Sequence, residues 1–257
     1  NYMRLTEEQL GEAVNREMDY NQALKAWDLV KNTDHPLRER VWLKVKHAFD
    51  TGEYQRYYME DLREYPMKDE IAFDVMKHDA RFRWLMPKVM EFFPKSVLDI
   101  GCADGYLGLT LGQHGIKSVG LNLYKPSVDL ANARARGAHL PAKFLNMDFR
   151  DYDKQHEVVV FFEILEHLPD PKEAIAKAFS LVKPGGRLYI STPVAEKHIG
   201  IAGHLSDPNR ESWMDDKPAG HLRLFTEKEF KDLLEPYNFV DYYIDEEYSQ
   251  EAEIWKK

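Results

Sequence analysis

A five-residue stretch near the middle of the chain, EILEH at residues 163–167, groups two carboxylates and one imidazole. It comes directly after an apolar run, as polar residues at the end of a buried strand do. An imidazole titrates near neutral pH and can remove a proton from a hydroxyl group. We therefore predict His167 as a general base, with Glu166 and Glu163 beside it in catalysis. The alternative is that Glu166 and His167 cap and orient the following helix.

A second stretch, VLDIGCADGYLG at residues 97–108, is an apolar run that ends in a glycine-containing loop. A dinucleotide-binding loop needs glycines at its first, third and sixth positions, so that a pyrophosphate can approach the backbone. These positions hold Gly101, Ala103 and Tyr106, which favours a ligand without a pyrophosphate, such as S-adenosylmethionine. Asp99 is then available to the ligand's amine, and backbone N–H groups at the following helix start face its carboxylate. The alternative is a plain strand-to-helix turn.

The elements that position these residues follow from alternating apolar runs and helical stretches after residue 94. Strands are predicted at 96–100, 118–123, 157–162 and 187–191, and helices at 106–113, 127–136 and 171–182. A capping box at Thr226–Glu229 opens a helix to about Leu234, and two strands, at 239–247 and 252–257, follow it. This order predicts an α/β fold with a parallel sheet covered by helices on both faces.

The first 94 residues have a different, helical pattern. A capping box lies at Thr6–Gln9, and apolar residues recur at helical spacing around Trp27 and Trp42. A further helix is predicted over 69–93. We therefore predict an N-terminal helical cap over 1–94 and a second domain over 95–257.

Composition narrows the classes of partner. The formal net charge is −9 and no basic run is present, which argues against a large nucleic-acid footprint. No apolar run approaches the roughly 20 residues that span a bilayer. The single cysteine, Cys102, excludes an internal disulfide framework and favours a reducing compartment. We expect a cytoplasmic protein with a small-molecule substrate and no membrane partner.

Five stretches together resemble, in order and spacing, the class I S-adenosylmethionine-dependent methyltransferases: VLDIGCADGYLG, SVGLNL, NMDF, FFEILEHLPDP and LVKPGGRLYISTP. The resemblance covers residues 95–257 and implies a Rossmann-like, mostly parallel seven-stranded sheet. It implies that Asp99 and Gly101 hold the methionine end of S-adenosylmethionine, that Asp148 meets the adenine amino group, and that Phe149 gives apolar surface. The predicted cofactor contacts are Asp99, Gly101, Cys102, Ala103, Gly105, Asn122, Leu123, Asp148, Phe149 and Phe162.

One departure from the family pattern lies at the end of the second strand, where an acid usually accepts hydrogen bonds from both ribose hydroxyls. This chain has Asn122 there. An amide accepts one bond and donates another, so we expect weaker cofactor binding rather than none. Asn122 as an ordinary strand-end residue is the alternative.

A metal site is a further alternative, although our prediction is that no metal is used. Glu163, Glu166, His167 and His221 have the residue types and order of the metal site in small-RNA 3'-terminal 2'-O-methyltransferases, and similar residues occur in ubiquinone-pathway O-methyltransferases. Two carboxylates and two imidazoles suit a divalent ion that activates a hydroxyl.

The acceptor pocket is predicted from residues 193–223, an aperiodic segment after the fifth strand. Its side chains His198, His204, His221 and Trp213 are candidate substrate contacts. The layout resembles enzymes that methylate sugars and other small hydroxylated metabolites, so O-methylation of such an acceptor is expected. Two alternatives remain: a metal-assisted RNA ribose 2'-O-methyltransferase, and a catalytically silent cofactor-binding module whose N-terminal helices recruit a protein partner.

Overall fold

A computed structural model describes residues 36–50, 80–195, 223–237, 239–245 and 249–257, together with eight single residues between 11 and 30. The chain divides into two compact units. One consists of Asn1–Tyr65 and Glu196–Leu224, and the other of Pro66–Ala195 and Phe225–Lys257. None of the described helices has the length and apolar character needed to cross a membrane.

The second unit is built on one seven-stranded sheet, with strand order β3-β2-β1-β4-β5-β7-β6. Strands β1 to β5 run parallel to one another, whereas β7 lies between β5 and β6 and is antiparallel to both. The predicted fold class, a mostly parallel α/β sheet, is thereby confirmed. The strands are β1 Val97–Ile100, β2 Ser118–Asn122, β3 Ala142–Asn146, β4 His156–Phe162, β5 Val182–Pro193, β6 Phe239–Ile244 and β7 Ser249–Trp255.

Six helices are described, and two of them begin at well-formed caps. The Asp170 carboxylate accepts the backbone N–H of Glu173 at 3.0 Å, and Thr226 and Glu229 form the predicted capping box. Each cap satisfies N–H groups that a helix start leaves without partners. The helices are α1 Arg38–Asp50, α2 Ala80–Phe92, α3 Tyr106–Gln113, α4 Lys125–Gly137, α5 Pro171–Ser180 and α6 Glu227–Leu234, with 3-10 turns at Phe149–Asp151, Leu165–His167 and Glu235–Tyr237.

Helix α2 belongs to the sheet's core. Its buried residues Leu85, Met86 and Val89 pack with Val158 and Tyr189 of the sheet. The Lys88 ammonium also lies 2.6 Å from the Asp241 carboxylate on β6. The division of the chain therefore differs from the predicted boundary after residue 94, because the apolar face of α2 is buried on the sheet.

Strand β3 is absent from the predicted strands. It forms the edge of the sheet, and only Phe144 among its residues is buried, so its apolar signal is weak. Strand β5 begins at Val182, five residues before the predicted start, and α5 ends at Ser180. A Cβ on Gly186 would lie 2.5 Å from the Glu157 carbonyl oxygen, so a close backbone approach explains a glycine inside this strand.

The first unit contains an aromatic cluster. The Trp27 and Trp42 rings lie 4.9 Å apart, with the Arg38 guanidinium over Trp27 and the Arg223 guanidinium over Trp42. Cation–π contacts of this kind stabilise by about 0.5–2 kcal/mol, depending on burial. Arg223 lies near the end of the segment that follows β5. It thus contacts α1 within this unit, through the Trp42 ring.

Candidate active site

The loop after β1 is a tight turn held against the end of β2. Gly101 and Gly105 have φ values of 78° and 81°, which glycine adopts without strain. The backbone N–H groups of Gly101 and Cys102 both donate to the Leu121 carbonyl, at 2.9 and 3.0 Å. A Cβ on Gly105 would meet the Phe144 ring at 2.7 Å, so this position excludes a side chain.

Asp99 is the last residue but one of β1, beside this loop. The side chain is buried, and among the described residues it has no hydrogen-bond partner. Burial raises the pKa of its carboxyl to about 7. An uncompensated buried carboxyl is costly in free energy, and a donor that binds it removes that cost. An amine of S-adenosylmethionine fits this position, because it can donate to the carboxylate.

The Asn122 side chain is engaged by the protein at both ends. Its Nδ2 donates to the Ala103 carbonyl at 3.2 Å, and its Oδ1 accepts the Tyr124 backbone N–H at 3.0 Å. The amide thus ties the end of β2 to the loop after β1. The expected contact with the ribose hydroxyls remains a prediction. It would have to use the second lone pair of Asn122 Oδ1 or the second N–H of Asn122 Nδ2, because the first of each is already bonded.

The residues predicted around the adenine follow β3. The Asp148 carboxylate accepts from Arg150 Nε at 3.0 Å and from its terminal nitrogen at 2.6 Å. The Phe149 ring is buried, and its centroid lies 5.4 Å from that of the Phe161 ring. Most of its apolar surface is therefore packed within the core. A carboxylate has further lone pairs, which leaves Asp148 able to accept an amine.

Two other predicted cofactor contacts, Leu123 and Phe162, are half-buried. The Leu123 carbonyl accepts from the Asn146 amide at 2.8 Å, and the Phe162 ring lies 6.1 Å from that of Phe82. Cys102 is buried, and burial raises the pKa of its thiol. The cofactor roles of these residues remain predictions.

Glu163 follows β4 with a φ of 53°, a left-handed conformation that is uncommon outside glycine. Its Oε1 accepts from the Ser191 and Ser249 hydroxyls at 2.8 and 3.2 Å, and Oε2 lies 3.4 Å from the Arg81 guanidinium. Burial and then the nearby Glu166 carboxylate raise the pKa of Glu163 to about 7. Strained backbone of this kind is concentrated at functional sites.

Glu166 and His167 lie in the 3-10 turn that follows. Glu166 is fully buried, its Oε2 accepts from the Thr192 hydroxyl at 3.1 Å, and its Oε1 lies 3.8 Å from His167 Nε2. Burial raises the pKa of this carboxyl to about 7. The structure thus places Glu163 and the turn that carries Glu166 and His167 at the carboxyl end of β4.

Ile164 joins this turn to the loop after β1. A Cβ on Gly101 would lie 2.2 Å from Ile164 Cδ1, so the isoleucine side chain covers the glycine. The predicted catalytic stretch and the predicted cofactor loop are therefore in contact. The carboxyl edge of a parallel sheet is where ligands bind in open α/β folds.

The candidate substrate contacts His198, His204, Trp213 and His221 lie outside the described residues. Within the described part of the chain, no group of three or more His, Cys, Asp or Glu is arranged to hold a metal ion. The four-residue metal alternative includes His221, so the structure does not test it.

Sequence reasoning missed several side chains of this edge: Arg81, Ser191, Thr192 and Ser249. Ser191 and Thr192 end a predicted strand, and polar residues at that end were an available signal. Ser249 reaches Glu163 only because β7 pairs antiparallel with β5, with Ser249 opposite Pro193. No local pattern indicates that pairing.

Known proteins resemble this chain in sequence and in fold. Residues 76–243 match a family model described as a methyltransferase domain. A ubiquinone biosynthesis O-methyltransferase of Vibrio atlanticus is 32% identical over 116 residues, which cover 44% of this chain and 49% of that protein. The chain thus spans about half the length of the curated relatives it matches.

Two solved structures share the fold. Magnesium protoporphyrin IX methyltransferase from Synechocystis, solved with bound SAH, has a TM-score of 0.58 at 16% identity and covers 82% of this chain and 97% of its own. A Pyrococcus horikoshii protein has a TM-score of 0.56 at 18% identity, over 72% and 94%. With a family match over more than half of its length, this chain belongs to the class I S-adenosylmethionine-dependent methyltransferases.

Proposed function

We propose that this protein transfers the methyl group of S-adenosylmethionine to a hydroxyl oxygen of a small acceptor, such as a sugar or another hydroxylated metabolite. The observation that carries the proposal is the contact between the EILEH turn and the loop after β1, made by Ile164 over Gly101. It brings acid–base side chains beside the predicted cofactor loop. The O-methyltransferase name of the Vibrio atlanticus relative favours oxygen as the acceptor atom.

The cofactor would be held by residues that the structure already arranges. The buried Asp99 carboxylate would accept from the cofactor's amine, and the N–H groups at the start of α3 would face its carboxylate. Asp148 would accept from the adenine amino group. When bound, S-adenosylmethionine supplies a methyl group on a positively charged sulfur.

The acceptor hydroxyl oxygen would form the new bond to the methyl carbon while the carbon–sulfur bond breaks, and the hydroxyl proton must leave. His167 is the base that would take this proton. The Glu166 carboxylate, 3.8 Å from His167 Nε2, would favour the imidazolium that results. Fixing the reacting oxygen in line with the methyl group supplies much of the remaining acceleration.

The test is a His167→Ala variant, assayed on a panel of nucleotide sugars, hydroxylated aromatics and short RNAs by release of S-adenosylhomocysteine. We expect kcat to fall by about 10²-fold or more on the best acceptor, with cofactor affinity unchanged, because base catalysis acts only in the transition state. His114→Ala, at an exposed histidine after α3, is the matched control and should keep the parent rate.

A His167→Ala variant as fast as the parent would remove the base assignment. If only the short RNAs are methylated, the small-acceptor proposal is replaced by the RNA alternative. If no panel member is methylated although the cofactor binds tightly, the silent-module alternative is favoured over O-methylation.

A further inference from the structure

The carboxyl end of β5 carries two successive hydroxyl side chains, Ser191 and Thr192, and both residues are fully buried. Successive residues of a strand point to opposite faces of the sheet. The Ser191 hydroxyl donates to Glu163 Oε1 at 2.8 Å, and the Thr192 hydroxyl donates to Glu166 Oε2 at 3.1 Å. Each carboxylate of the EILEH stretch is therefore held by its own hydroxyl from the neighbouring strand.

The two carboxylates differ in the number of side chains that hold them. Glu163 also accepts from the Ser249 hydroxyl at 3.2 Å, and it lies 3.4 Å from the Arg81 guanidinium. Apart from its own backbone N–H, Glu166 has the Thr192 hydroxyl as its one hydrogen-bond donor in the part of the chain that the structure describes. Loss of one hydroxyl would therefore leave Glu163 held in place, whereas it would release the Glu166 carboxylate.

Glu166 turns its other oxygen towards His167. This Oε1 is buried, lies 3.8 Å from His167 Nε2 and has no hydrogen-bond partner among the described residues. At 3.8 Å the two groups do not share a hydrogen bond, but the carboxylate attracts the imidazole once it is protonated. That attraction depends on the distance between the two groups, so it depends on where Oε1 is held.

The imidazole is the member of this group that reaches the surface. The His167 side chain is 16% exposed and that of Glu166 is 1% exposed, while Thr192 has no exposed surface. An acceptor molecule can therefore meet His167, whereas Thr192 is out of its reach. Any effect of Thr192 on the chemistry must pass through Glu166.

We propose that Thr192 is a positioning residue for methyl transfer: its hydroxyl fixes the Glu166 carboxylate so that Oε1 stays beside His167 Nε2. The inference rests on the proposed function, in which His167 takes the proton of the acceptor hydroxyl. When that proton moves from the hydroxyl oxygen to the imidazole, the positive charge forms beside a carboxylate whose position is already set. A base that is oriented by a third group is a recurring arrangement in enzymes that activate a hydroxyl.

The test is Thr192→Val, which keeps the branched shape and removes the hydroxyl, assayed on the panel member that the parent methylates fastest. We expect kcat to fall by about 10-fold, the effect of one hydrogen bond to a charged group, with KM and cofactor affinity within about twofold of the parent's. Thr192→Ser keeps the hydroxyl and should restore kcat to within about threefold of the parent's. Thr110→Val is the matched control and should keep the parent rate, because Thr110 is a buried threonine of α3 whose hydroxyl has no partner within the described chain.

A double variant separates positioning from a purely structural role. If Thr192 acts through His167, Thr192→Val should change kcat by less than about twofold when His167 is already alanine, because the two residues act as one unit. A structural role would lower kcat by the same factor in both backgrounds. If Thr192→Val does not fold, Thr192→Cys takes its place, and because a thiol is a weak donor kcat should still fall by about threefold or more.

Several results would overturn the inference and leave the proposed function intact. One is a Thr192→Val variant with the parent's kcat beside a slow His167→Ala variant. Others are an equal loss in both backgrounds, a fall in cofactor affinity that matches the fall in kcat, and a Thr192→Ser variant that stays as slow as Thr192→Val. If His167→Ala is as fast as the parent, the proposed base itself is wrong, and the inference fails with it.

Discussion

Four carboxyl side chains along the carboxyl edge of the sheet are buried or nearly so, and burial is the largest cause of the raised pKa of each. The pKa is about 7 for Asp99, Glu163 and Glu166 and about 9 for Glu251. Glu163 and Glu166 accept bonds from serine or threonine hydroxyls, and Glu251 lies beside the Asp245 carboxyl, whereas burial is the one cause of the raised pKa of Asp99. Asp99 is therefore the acid that we assign to the cofactor.

Asp99→Asn tests this assignment for the cofactor. Asparagine keeps the size of the side chain but removes the charge, so the bond to the cofactor's ammonium loses its ionic character. We expect S-adenosylmethionine binding to weaken by about 1.5–3 kcal/mol, measured by calorimetry. Asp129→Asn, at an exposed acid of α4, should bind like the parent. Unchanged affinity in a folded Asp99→Asn protein would show that Asp99 lies outside the cofactor site.

The same variant has a pH-dependent consequence for stability without cofactor. The folded-state pKa of Asp99 is raised to about 7 from 3.8, so between these values the folded chain holds a proton that the unfolded chain has released. The parent's free energy of unfolding should therefore fall, relative to that of Asp99→Asn, as pH rises from about 4 to 7, by up to about 1.4 kcal/mol per pH unit. Urea unfolding at several pH values measures the difference, and parallel curves would contradict it.

At the scale of elements, the central part of the sheet could be predicted because its strands are short apolar runs. Strands β1, β2 and β4 match their predicted ranges within a residue or two, and so does helix α3. Strand β3 was missed because an edge strand buries little. The second unit also takes in α2, since a helical pattern does not reveal which surface the helix packs on.

For the candidate site as well, the sequence predicted some residues and missed others. Asp99, Glu163 and His167 each follow an apolar run that marks the carboxyl end of a strand, and that signal is local. The partners of Glu163 come from α2, β5 and β7, at sequence separations of 82, 28 and 86 residues. Glu251 looks, in the sequence, like one acid of an acidic and aromatic strand. Only the antiparallel pairing with β5 shows that it is buried.

Helix α6 offers a prediction at this scale. Its start depends on the capping box, in which the Thr226 hydroxyl accepts the Glu229 N–H at 3.2 Å and the Glu229 carboxylate accepts the Thr226 N–H at 2.8 Å. Its Phe230 and Leu234 side chains are fully buried, so fraying of the first turn would loosen their packing. Thr226→Ala should lower the free energy of unfolding by about 1 kcal/mol. Urea denaturation measures this loss.

Lys228→Ala serves as the control for that helix. Lys228 lies in the same first turn but is exposed, and it pairs with Asp232 on the surface, so its replacement should change stability by less than about 0.5 kcal/mol. Equal effects of the two substitutions would mean that the capping box does not stabilise the helix.

At the scale of the whole molecule, the predicted cofactor contacts and the segment predicted to contact the acceptor fall in different units. Every predicted cofactor contact lies between Asp99 and Phe162, within the unit that contains the sheet. Residues Glu196–Leu224 group instead with the N-terminal helices, where Arg223 stacks on Trp42. Cofactor binding and acceptor turnover should therefore respond differently to loss of the N-terminal residues.

A chain that begins at Pro66 tests this separation. The sheet, its helices and their buried clusters are all retained, so S-adenosylmethionine affinity should stay within about threefold of the parent's, as for independent sites. Cofactor at 100 times its Kd should also still stabilise the shortened chain by about 2.7 kcal/mol. Acceptor turnover should fall, because Arg223 loses its contact with the Trp42 ring. Calorimetry, thermal unfolding with cofactor and S-adenosylhomocysteine release measure the three quantities.

Full turnover would show that Glu196–Leu224 acts without the N-terminal helices, and a folded chain with no cofactor affinity would show that those helices contribute to the cofactor site directly.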